Sequence, residues 1–151
     1  MHLALYLRLL EQAQTRLADA FERVASAHGE EPDVEHQCAR LAGQCRTHAG
    51  KLSPFTEAYA EKAPPEPANL HSDIFAGPRK GSIGLLRDLQ DLYVMAAECD
   101  ICWTVVGQAA QGARDDRLLQ VVQACEGETS IQLSWLRTRM KAAAPQALVV
   151  A

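Results

Sequence analysis

The chain is predicted to be all-α: an antiparallel four-helix bundle of two helical hairpins joined by one long crossover. Three observations predict it. The 151 residues are 48% hydrophobic but only 5% aromatic, and the abundant Ala, Leu, Gln, Arg and Glu favour helix over strand. Apolar residues recur in alternating steps of three and four along four separate stretches, the period of a helix buried on one side. The long aperiodic segment 63–81 divides these stretches into two pairs, and it holds four of the seven prolines.

Helix one is expected over about residues 3–28, because Leu3, Leu7, Leu10, Leu17, Phe21 and Val24 form one stripe interrupted only by Gln14. Gly29-Glu30-Glu31-Pro32 ends it, since Gly suits the position after a helix and Pro the first turn of the next. Helix two, about 33–62, carries Val34, Cys38, Leu41, Cys45, His48, Leu52, Phe55 and Tyr59 in the same rhythm. The stripe keeps its phase through Ser53-Pro54, which predicts a bent but continuous helix.

Residues 63–81 extend about 3.3 Å each, roughly 60 Å in all, whereas a helix of about 28 residues covers about 42 Å. The segment is therefore long enough to run the length of the bundle, with Leu70, Ile74 and Phe75 as its anchors. Helix three, about 82–111, starts at Ser82 as cap and carries Leu85, Leu89, Leu92, Ala96, Cys99, Trp103, Val106 and Ala110, with Leu86, Tyr93 and Ala97 widening the face. It stops at Gly112. Helix four, about 115–143, is capped by Asp115 or Asp116 and carries Leu118, Val122, Cys125, Thr129, Gln132, Leu136 and Met140; Arg137, Arg139 and Lys141 suit its C-terminus.

Two hairpins and a crossover of this length resemble the layout of the ferritin-like superfamily. The resemblance covers nearly the whole chain and implies an inward metal layer, with a Glu on each of two helices and a Glu-x-x-His pair on each of the others. Here helix one offers Gln14, with Glu11 off the stripe, and helix two offers Cys45-x-x-His48. Helix three offers Glu98, the best single match, and helix four offers Glu128 without its histidine and with Gln132 beside it. Two metal ions need several anionic donors, so the resemblance implies an eroded site. Two readings remain open. Cys45, His48, Glu98 and Glu128 would suit one transition metal ion, Zn or Fe, with Cys99 and Cys125 nearby; alternatively they are a polar core layer, since buried thiols behave as small hydrophobes.

The five cysteines are odd in number and lie in helices, so reduced thiols are expected, and Cys99-x-x-Cys102 lacks the strand before it that a redox motif has. A net charge of −4 supplies no footprint for nucleic acid. No apolar run approaches a membrane span, and a signal peptide pattern is absent, which predicts a cytoplasmic protein. Phosphate-loop, serine-nucleophile and metalloprotease motifs are also absent, so the expectation leans away from an enzyme. Residues 89–113 are apolar nearly all round, which predicts a homodimer. Gly43, Gly50, Gly107 and Gly127 inside helices suggest close helix approach. The apolar tail after Pro145, with Leu148, Val149 and Val150, needs cover from this bundle, a twin or a protein partner. The predicted function is a binding or accessory module, with a metalloprotein as the alternative.

Overall fold

The computed structural model describes residues 2–71 and 73–150. Four helices form: α1 (Leu3–Ala27), α2 (Pro32–Ala60), α3 (Gly81–Ala113) and α4 (Asp116–Pro145), followed by a π-helical turn, Gln146–Val150. α1 packs along α2 and α3 along α4, and the hairpins join chiefly through α1 against α3, while α2 and α4 touch sparingly.

Side-chain pairs at the two ends fix the direction of each helix. Tyr59, at the end of α2, donates to Asp115, just before α4. At the opposite end His28, after α1, meets Asp88 near the start of α3, and Arg139 late in α4 bonds Glu31 and Asp33 where α2 begins. α3 therefore starts at the end of the bundle opposite to where α2 stops, and the crossover 61–80 runs the length between them. Phe75 and Leu70 anchor it on the core, and the Arg23 guanidinium lies 5.4 Å from the Phe75 ring centre. The third expected anchor, Ile74, is exposed.

The stripes read from the sequence are the core. All six apolar residues named on α1 are buried, as are Leu85 to Ala110 of the α3 stripe and Leu118 to Leu136 of the α4 stripe. Full burial of each such leucine stabilises the fold by about 1.5–3 kcal/mol relative to exposure. Pro54 sits within a continuous α2. Beyond it the stripe residues Phe55 and Tyr59 are only half-buried.

Helix ends differ from expectation in three places. Ser82 lies inside α3, whose cap is Lys80 and which has no side-chain cap bond. Gly112 does not stop α3; the helix continues to Ala113, and Arg114 takes the left-handed conformation (φ 55°, ψ 39°). The amide of Asp115 then reaches back to the Ala110 carbonyl at 2.9 Å, the bond that satisfies a carbonyl left open at a helix end. Asp115 then caps α4 by accepting from the Leu118 amide at 3.0 Å.

α4 also passes its expected end at 143 and reaches Pro145. The turn after it lies against α3 and α4, yet Leu148, Val149 and Val150 stay exposed. Of Gly43, Gly50, Gly107 and Gly127, the glycines expected to mark close helix approach, Gly107 alone does so: an added Cβ would lie 3.2 Å from Val122 on α4. A second glycine, Gly84, admits the crossover, because a Cβ there would meet the Arg79 backbone at 2.8 Å. No described helix is long and apolar enough to cross a membrane.

Candidate functional site

The helical period places Cys45 and His48 one turn apart on the inward face of α2, and both are fully buried. Opposite them α4 supplies Glu128 and Gln132. Gln132 donates to the Gln44 amide oxygen at 2.7 Å, and its carboxamide contacts the Cys45 thiol, Oε1 lying 3.9 Å and Nε2 3.6 Å from Sγ. Gln44 in turn donates to the Glu128 carboxylate. On α3, Trp103 Nε1 donates to Thr129 at 3.1 Å, and Thr129 donates to the Cys125 carbonyl at 2.8 Å. A layer of polar side chains thus ties α2 to α4 and α3 to α4.

His48 stands apart within this layer. Its ring meets Trp103 edge-on, with centroids 5.8 Å apart and planes at 86°. Its Nε2 is 3.7 Å from the Glu128 carboxylate, and neither ring nitrogen has a hydrogen-bond partner among the described residues. Burial pushes its pKa below the ordinary 6.5, opposed by the Glu128 charge and reinforced by Lys51. The imidazole is therefore held neutral. Gln14 is also buried, with an unpartnered amide oxygen. Since Arg46 on α2 pairs with Asp19 and Glu22 on α1, the antiparallel pairing sets Gln14 about one to two turns from His48 along the bundle.

The donor set does not fit two metal ions. The thiols of Cys45 and Cys38 are pushed up to about 12, and those of Cys102 and Cys125 to about 11, in each case chiefly by burial; Cys99 is raised as well. They are protonated near neutrality, so an ion bound there would have to displace the thiol protons. His48 and Glu128 approach each other, with Cys45 in the same layer. Glu98 is half-buried on α3, where its charge acts on Cys99 and Cys102 of its own helix. Among the described residues no group of three or more His, Cys, Asp or Glu is arranged to hold an ion.

Beside this layer α2 and α4 part to leave an open groove of about 640 Å³. Pro54, Phe55 and Ala58 form one wall and Val121 and Ala124 the other, with Lys51 at the inner end. Tyr59, Asp115 and Arg117 line the outer end. A volume of this size is usual for a small-molecule site. The apolar stripe runs on into it: Phe55 and Tyr59 continue the core phase but lie where α4 has drawn away.

A second buried polar cluster had not been expected from the sequence. His28, Asp88 and Asp91 are buried. His28 Nε2 lies 2.8 Å from Asp88, and Arg79 contacts Asp88 through both its backbone amide and its guanidinium, each at 2.9 Å. The same guanidinium reaches Asp91 at 2.9 Å. The available signal was phase: His28 falls four residues after Val24, on the α1 stripe. This cluster joins the end of α1, the crossover and α3; His28 Nδ1 alone of its ring nitrogens has no hydrogen-bond partner among the described residues, with the exposed Glu30 carboxylate 3.6 Å away. Comparison of the chain with protein-family models, with curated proteins and with solved structures finds no match.

Proposed function

We propose that the chain is a non-catalytic helical bundle of ferritin-like layout that acts as a binding module, taking its ligand in the groove between α2 and α4. The carrying observation is the groove itself: core-phase residues Phe55 and Tyr59 line an opening beside a mid-bundle layer whose Gln44, Glu128, Gln132 and Cys45 are occupied with one another. A screen of small molecules by NMR on the full chain, with iron-loaded protein assayed for oxidase turnover in parallel, tests it. The expected result is shifts confined to α2 residues 51–59 and α4 residues 117–124, without turnover. Steady-state oxidation, or binding only elsewhere, overturns it.

One observation favours a second reading, a single Zn or Fe ion. Both His48 nitrogens are unpartnered beside Glu128, and a bound ion would give one of them a partner. Elemental analysis of untagged protein and of its His48→Ala variant decides: stoichiometric metal lost in the variant supports this reading, and its absence removes it.

A homodimer belongs to the main reading. Val94, Ile101 and Val105 on α3 are exposed, as is Tyr6 on α1, and a second copy set along this face would cover them. Sedimentation of the wild type against Ile101→Glu reads this directly; a wild type that is monomeric at high concentration rejects it.

A further inference from the structure

Resting on the reading of the groove as the ligand site, we propose that its ligand is a small amphipathic organic anion, a carboxylate on an apolar body about 10 Å long, with the carboxylate on Lys51. The length follows from the helices. Lys51 to Tyr59 spans eight residues of α2, and Arg117 to Ala124 seven of α4, so the groove extends about 10–12 Å at 1.5 Å per residue.

The charge follows from the partners. Neither Lys51 nor Arg117 forms an ion pair with any described residue, so the groove presents two uncommitted cations. Its one lining carboxylate, Asp115, already accepts from Tyr59 and from the Leu118 amide, each at 3.0 Å. Arg117 shares its end of the groove with Asp115, which offsets it. At the other end Lys51 is exposed at the groove's margin, and its charge is within electrostatic reach of the buried His48 and Cys125. Glu128, whose charge acts on the same two groups, does not line the groove and accepts from Gln44. Between the ends the walls are Pro54, Phe55, Val121 and Ala124, which suit an apolar body. An anion seated there gains a charge-assisted contact at Lys51 and buries hydrocarbon along the groove.

Octanoate, octanol and octylammonium share one body and differ in head group, so their titration into the full-length chain, followed by NMR shifts and calorimetry, separates charge from shape. Octanoate is expected to bind in the groove about ten-fold more tightly than octanol, to weaken as salt is raised, and to lose that advantage in Lys51→Gln. Arg16→Gln, outside the groove, should leave binding unchanged. Ala124→Trp fills the groove and should abolish binding of all three probes.

Octanol or octylammonium bound in the groove as tightly as octanoate overturns the anion assignment and leaves the groove reading standing. Octanoate bound equally well by Lys51→Gln, with the variant's melting curve unchanged, overturns the place of the carboxylate. Shifts from every probe lying outside the groove overturn both.

Discussion

Among the described residues, two buried polar clusters are each built around a fully buried histidine, and the rings differ in how far they are satisfied: His28 is bonded at one nitrogen and His48 at neither. His28 shares a carboxylate, Asp88, with both the backbone amide and the guanidinium of Arg79. His48 has a carboxylate at 3.7 Å and no hydrogen bond at either nitrogen. A buried ionised group is tolerated when its partners surround it. A buried imidazole without partners is tolerated when it stays neutral, at a cost in desolvation. The first cluster is a clasp that fixes the crossover. The second holds an unsatisfied imidazole beside an open groove, which is where we place the proposed binding function.

The largest effect expected from this contrast is at the clasp. Asp88→Ala leaves the buried His28 without its carboxylate and the part-exposed Arg79 with Asp91 alone, and should cost about 2–4 kcal/mol, read by urea unfolding; a loss below about 1 kcal/mol would make the clasp incidental. Next comes Cys45→Ala, which removes a buried group touching Gln132 and should cost about 1–2 kcal/mol. The loss should be the same with and without chelator, and a chelator-induced drop in the wild-type Tm would instead favour the metal reading.

A smaller effect is expected at His48 itself. His48→Leu exchanges an unpartnered imidazole for an apolar group of similar bulk and should stay within about 1 kcal/mol of wild type, or exceed it. A loss near that of Asp88→Ala would mean that the ring has a partner in solution.

The smallest effect is pH-dependent. The folded pKa of His48 lies below 6.5, so between the two values the unfolded chain binds the extra proton. Stability from this group is complete above about pH 6.5 and falls as the pH drops through the window beneath it. Tm should therefore decline below that pH in the wild type and less steeply in His48→Leu, a difference that differential scanning calorimetry resolves. Equal slopes would assign the decline to other groups.

Much of the fold was legible along the chain. The phase of each stripe named the buried residues, and the length of the crossover foretold that it spans the bundle. Helix ends were less legible, because Gly112 and Ser82 are local signals that tertiary packing overrode: α3 continues past the glycine until Arg114 turns left-handed and Asp115 supplies the cap. At the site, phase placed Cys45, His48 and Gln132 in one core layer, and Glu128 beside it. It did not reveal Gln44, which joins Glu128 to Gln132 from a position off the stripe.

Phase was equally silent on the clasp. Asp88 and Asp91 flank Leu89 and Gln90 on an apolar helix and resemble surface carboxylates until the crossover lays Arg79 over them. The sequence by itself determined the four helices, their apolar faces and the inward direction of Cys45 and His48, since these depend on the 3.6-residue period and on local turn chemistry. Only the tertiary structure decided which polar groups found partners and where α2 and α4 part. Both outcomes depend on distances between residues remote in the chain, set by packing of all four helices together, and no local pattern carries that information.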